Sequence, residues 1–105
     1  MKKALLIAAL LLALAGCGVK QVPVTITNDL GAWDITEVYI DASDKPWSTS
    51  LLQATLTPGN SAVFQVAPGT YDIRCTDEDG DTYTKWEVVI GAEGHTWNVT
   101  LADLD

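Results

Sequence analysis

Residues 69–90 read GTYDIRCTDEDGDTYTKWEVVI. Apolar and polar side chains alternate in TYDIRCT and again in YTKWEVVI, and the two runs flank Asp79-Gly80. Alternation places every second side chain on one face of a strand. Asp-Gly is a strong hairpin signal, because both central residues of the favoured two-residue turn need positive φ. With that turn, Ile73 faces Trp86, Tyr71 faces Val88 and Cys75 faces Thr84. On the opposite face Arg74 lies diagonal to Glu87 and Asp72 to Lys85, pairs of opposite sign within reach. A loop one residue longer would set Ile73 against a charged neighbour and disturb both faces.

Moving outward, the rest of the chain repeats the same grammar of short runs and turns. VPVTIT (22–27) places Val22, Val24 and Ile26 on one face, and NDLG (28–31) turns. DITEVYID (34–41) alternates less cleanly, with Val38 and Ile40 on one side, and SDKPW (43–47) reads as a loop. SLLQATLTPGN (50–60) reads as a short helix or an edge strand running into the Pro58-Gly59 turn. AVFQV (62–66) precedes Pro68-Gly69, and GAEG (91–94) leads into HTWNVTL (95–101), with Trp97, Val99 and Leu101 on one face. No stretch sustains a helical period. The expected fold is all-β: a small antiparallel β-sandwich of six to seven strands, immunoglobulin-like or prealbumin-like.

The N-terminal residues follow different rules. Lys2 and Lys3 precede an uninterrupted apolar run, Ala4 to Leu14, followed by small residues. A spanning helix needs about 20 apolar residues, so this run has the build of a secretory signal. An ordinary signal peptide with a nearby cysteine and a buried core helix are the alternatives. Leu14-Ala15-Gly16-Cys17 resembles the lipobox of bacterial lipoproteins. The resemblance implies that the Cys17 thiol carries a diacylglyceryl group, that the chain is cut before Cys17, and that the freed amine is often acylated. Two or more acyl chains hold a protein stably on a bilayer. The division expected is a signal peptide over 1–16, a lipidated tether over 17–21 and the β-sandwich over 22–105. Aspartate after the box cysteine favours inner-membrane retention in Gram-negative members of that family. Here the position is Gly18, which implies the periplasmic face of the outer membrane in such a host.

The string VYID, PG, YDIRCTDEDGDTY within the remaining chain also resembles a group of small, mostly uncharacterised bacterial β-domains. They share a Pro-Gly turn, a Tyr-Asp-Ile strand and an acidic Asp-Gly hairpin. This resemblance implies a fold and transfers no activity.

Of the 105 residues, the 89 from Cys17 onward hold four Lys/Arg against fourteen Asp/Glu, a side-chain charge of −10. That balance excludes the basic footprint nucleic acid needs, and argues against a domain lying flat on anionic lipid. It suits a basic partner or a cation. With Cys17 assigned to lipid, Cys75 is left without a disulfide partner, and its strand position reads as a buried thiol acting as a small apolar residue.

Two features could carry function. Asp77, Glu78, Asp79 and Asp81 put four carboxylates in five positions, a chemistry that suits calcium. The glycine spacing does not fit an EF-hand, and the favoured reading of the same residues is a solvated hairpin tip. Trp33 and Trp47 lie in loops, where they either anchor a glycan or a protein partner or plug the ends of the core. Trp86 and Trp97 sit in strand patterns and are expected in the core. The single histidine, His95, has no metal-type or nucleophile-type partner pattern around it. The reading is a lipid-anchored, non-catalytic binding or structural module whose partner is an envelope protein or glycan. A calcium-responsive domain is the alternative, and an enzyme a remote one.

Overall fold

The computed structural model describes residues 20–105, so the signal segment and Cys17 lie outside the described residues. Six strands form in chain order: β1 (Val22–Asn28), β2 (Ile35–Ala42), β3 (Ser61–Val66), β4 (Gly69–Asp77), β5 (Thr82–Ile90) and β6 (His95–Val99). A single 3₁₀ turn, Leu101–Asp103, follows. They make two three-stranded sheets, ordered β3-β1-β6 and β2-β4-β5. The fold is the expected all-β sandwich. One pairing departs from an antiparallel scheme, because β6 runs parallel to β1, with Ile26 beside Trp97.

The core lies between the sheets. Val22, Val24 and Ile26 of β1 and Trp97 and Val99 of β6 meet Val38, Ile40, Ile73, Cys75, Tyr83 and Ile90 of the other sheet in one buried cluster. Trp97 is 4% exposed, as its strand pattern predicts.

The β4–β5 hairpin differs from the two-residue expectation in an instructive way. Asp77 N donates to Asp81 O at 2.9 Å, so the loop is Glu78-Asp79-Gly80, one residue longer. Ile73 therefore faces Lys85 and Cys75 faces Tyr83. Between Tyr71 and Ile73 the register shifts, and Tyr71 then faces Val88 as expected. The shift is a bulge that sets Trp86 and Glu87 against Asp72, with Glu87 at φ 53°. The extra loop residue is thus cancelled by an extra strand residue. The consequence is an exchange of faces between the tip and the bulge. Tyr83 enters the core, and Trp86, expected there, stands 61% exposed on the outside. The expected diagonal pairs do not form either: Lys85 approaches Asp103 (3.9 Å), and Arg74 approaches Asp105 (4.0 Å).

Both edges of the β2-β4-β5 sheet are closed by chain segments rather than by further strands. The segment 48–56 runs along the free side of β2: Leu51 N donates to Val38 O, and Ile35 and Leu56 exchange both backbone bonds at 2.9 Å. It is neither helix nor regular strand. At the other side of the sheet, Leu104 bridges Tyr83, and Asp105 N donates to Thr82 O. Such covering removes the unpaired donors and acceptors that make edge strands sticky.

Candidate functional site

The outer face of β2-β4-β5 carries the most unusual surface. Tyr39, Arg74 and Thr84 form one cross-strand row. Alternation turns them outward, because Val38, Ile40, Ile73, Cys75 and Tyr83 fill the inside. The loop after β2 folds back over this row, held by Ser48 N donating to Asp41 Oδ2 (3.1 Å), and lays Trp47 on it. Trp47 meets Tyr39 at 6.1 Å and Trp86 at 5.8 Å between ring centres, tilted by 58° and 46°. The Arg74 guanidinium lies 4.7 Å from the Trp47 ring and 5.9 Å from the Trp86 ring. Its Nε donates to Thr84 Oγ1 at 2.9 Å, so the cation is held in place. Thr84 and Thr82 in turn donate to Asp105 Oδ2 (2.6 and 2.7 Å). Burial alone would raise the Asp105 pKa, but these bonds and the Arg74 charge outweigh it and hold the carboxyl below its usual value. Tyr39 Oη donates to Glu37 Oε1 (2.9 Å), and that bond raises the phenol pKa, with burial adding to it.

Of the two loop tryptophans, Trp47 joins this cluster and Trp33 does not. Trp33 stands at the end of the sandwich where β1 finishes, 36% exposed, its carbonyl accepting from Asn28 Nδ2 at 2.8 Å. The partners that matter to Trp47 were out of reach of local pattern. Tyr39 and Arg74 read as ordinary outward strand residues, and Trp86 comes outward only because of the bulge.

The acidic hairpin has a different character. Asp77 is 3% exposed. Its Oδ1 accepts from Asp79 N (2.9 Å) and Asp81 N (3.0 Å), and its Oδ2 accepts from Tyr83 Oη (2.7 Å). Glu78 Oε1 accepts from Asp34 N at 2.7 Å, fastening the hairpin to the β1–β2 loop. Glu78 therefore does not oppose Asp81 across the turn. Asp77, Asp79 and Asp81 each bring one carboxylate oxygen within 4.8 Å of the others. Two of these are exposed, and the third already accepts three hydrogen bonds that shape the loop. This arrangement suits an aspartate that builds its own turn, the role aspartate side chains commonly take in tight loops.

Cys75 is fully buried and free. Burial, with a smaller effect from the Asp103 charge, pushes its thiol up to about 12, so it is protonated and unreactive at neutral pH. A shallow groove of about 660 Å³ lies between residues 51–57 and β3, bordered by Leu51, Leu52, Val63 and Phe64. Its lining holds no titratable side chain.

No protein-family model matches the chain, and no curated protein does.

Proposed function

We propose that the protein is a lipid-anchored bacterial envelope lipoprotein whose sandwich is a non-catalytic binding module, and that it engages an envelope protein through the Tyr39–Trp47–Arg74–Trp86 face. The observation that carries this reading is Trp86, exposed on a sheet face and stacked with Arg74 and Trp47. Trp, Tyr and Arg are the residues that dominate binding energy at protein interfaces. Here they are gathered on one sheet and already oriented, which lowers the entropy cost of association. The rings are tilted by 58° and 46° rather than coplanar, so they do not make the flat platform on which a sugar stacks. The anchor rests on the Leu14–Cys17 sequence and its place just ahead of β1.

Two measurements test the two halves. Mass spectrometry of the protein purified from membranes is expected to find a chain beginning at acylated Cys17. A mature N-terminus elsewhere, or an unmodified thiol, overturns the anchor. For the face, chemical crosslinking in intact cells is expected to give a discrete complex with the native chain. Trp86→Ala should reduce it at least tenfold with little change in Tm. A complex of unchanged yield would remove the face from the function. Binding of purified envelope polysaccharide lost in the same variant would reassign the partner to a glycan.

A further inference from the structure

We infer that the domain stands upright on a lipid headgroup surface, seated on the end where β1 begins and with its acidic hairpin pointing away. This rests on the lipid anchor proposed above and concerns which surface of the sandwich meets the bilayer.

The topology divides the turns between two ends. β1 starts at one end, and the parallel β6 starts beside it. β2, β3 and β5 finish at that end, and β4 begins there: Ala42 pairs with Tyr71, Gly69 with Ile90 and Val22 with Val66. The Gly91–Gly94 turn closes against the entry of the chain. Gly94 has φ +82°, and a Cβ there would run into the Pro23 carbonyl oxygen, so the turn and the start of β1 are in direct contact. The segment leading back toward Cys17 thus leaves from this end and no other.

The charges are distributed unequally between the two ends. The segments at the entry end carry Lys20 and Lys45 against Asp44 and Glu93, and Asp41, Asp72 and Glu87 lie within three residues of the strand ends there. The exposed apolar and small residues here include Val89, at 76% exposure, with Pro68 and Ala92. At the opposite end, the turns and the C-terminal segment carry Asp29, Asp34, Asp77, Glu78, Asp79, Asp81, Asp103 and Asp105, of which Asp103 lies near Lys85 (3.9 Å) and Asp105 near Arg74 (4.0 Å). Carboxylates are densest at the end far from the tether.

Reach and electrostatics then select one orientation. Four residues, Gly18 to Gln21, separate Cys17 from β1. They extend at most roughly 13 Å at about 3.3 Å each. β4 spans nine residues, roughly 30 Å at that rise. An inverted domain would hold its entry end a full strand length above the bilayer, beyond the tether. A domain lying on its side would bring the acidic end within about one Debye length (8–10 Å) of anionic headgroups, where like charges repel. The upright orientation meets the lipid with the less acidic, partly apolar end of the domain. It leaves the Trp86 face on the flank, open to a partner.

The test uses the full lipoprotein, purified from membranes and reconstituted in vesicles of phosphatidylethanolamine and phosphatidylglycerol. Single fluorophores are placed at Ala92→Cys and at Asp79→Cys, and nitroxide-headgroup lipid serves as quencher. The Ala92 label is expected to be quenched at least threefold more than the Asp79 label. Equal quenching would mean a domain lying on its side, and the reverse order an inverted one, and either overturns the inference. Flotation of the same samples is read separately. Protein that fails to float removes the anchor and the orientation together, whereas protein that floats with the wrong quenching order removes only the orientation. Adding Val89→Asp and Ala92→Asp to a Thr70→Cys label is expected to at least halve quenching there, because the seat then repels the headgroups. Unchanged quenching in that variant would also overturn the inference.

Discussion

The tip of the β4–β5 hairpin and the bulge near its base make opposite corrections to the same register. The tip inserts one residue in the loop, and the bulge inserts one residue in β5. Each is held by a buried aspartate of β4 that accepts a backbone N–H from beyond its own strand. At the tip Asp77 accepts from Asp79 N and Asp81 N. At the bulge Asp72 Oδ1 accepts from Glu87 N (2.8 Å) and from Ser43 Oγ (2.9 Å). The tip also holds a core residue, because Asp77 Oδ2 takes the Tyr83 hydroxyl. The bulge holds only backbone and a surface serine. Register in a sheet is set by whichever local structures bury their polar groups best, and here a pair of carboxylates decides it. The tip, with more buried bonds, is the stronger of the two.

The first way to break that ranking is Asp77→Ala. It leaves two turn N–H groups and a buried tyrosine hydroxyl without their acceptor, and unmet buried donors cost about 1–3 kcal/mol each. A loss of about 4 kcal/mol is expected in urea unfolding, since the two N–H groups at the tip can turn partly to water. Asp77→Asn, which keeps an acceptor for the turn, should lose clearly less.

A second test titrates the core beside the tip. Burial raises the Cys75 thiol from 9.0 to about 12. Tyr83 is raised as well, by burial first and by its bond to Asp77 second. Groups whose folded pKa is raised stabilise fully below their unfolded value and lose that contribution as pH climbs toward the folded one. Stability should therefore hold to about pH 9 and fall above it. The thiol alone should account for about 2–3 kcal/mol by pH 11. Cys75→Ala should flatten the alkaline limb, and an unchanged limb would assign it elsewhere.

Asp72→Ala comes next, with an expected loss of about 2 kcal/mol, because one backbone N–H and one hydroxyl lose their acceptor in bonds that are part-buried. If it proved costlier than Asp77→Ala, the ranking of tip over bulge would be reversed. Glu87→Gly sharpens the comparison from the other direction. Glu87 sits at φ 53°, a conformation that costs a side chain about 1 kcal/mol and glycine almost nothing. A small gain in Tm is expected, about 0.5–1 kcal/mol in stability.

The smallest effect expected is that of calcium. With Asp77 already bonded and Asp79 and Asp81 exposed, millimolar calcium should move Tm by no more than about 2 °C beyond a matched sodium control. A site filled to a hundredfold excess over its Kd would add about 2.7 kcal/mol, several times that shift. A calcium-specific rise lost in Asp79→Asn with Asp81→Asn would convert the hairpin into a cation site.

Local pattern accounts for the strands themselves. Alternation in 22–27 and 95–99 anticipates the buried faces Val22, Val24, Ile26 and Trp97, Val99, whereas Leu101, expected on the latter face, lies exposed in the 3₁₀ turn because β6 ends at Val99; Pro-Gly and Asp-Gly mark where the chain reverses. Composition determines the acidity, and strand alternation anticipates the burial of Cys75. Alternation says which residues share a face, but not which face a strand keeps once a loop or a bulge changes the count by one. The exposure of Trp86 and the burial of Tyr83 were decided by Asp77 and Asp72, which bond groups two to twenty-nine residues away in ways no periodicity encodes. The parallel docking of β6 on β1, the return of Trp47 onto Arg74 and the sorting of carboxylates to one end arise in the same way. Each depends on pairing between segments distant in sequence, whose free energy comes from burying both partners at once and has no trace in either one alone.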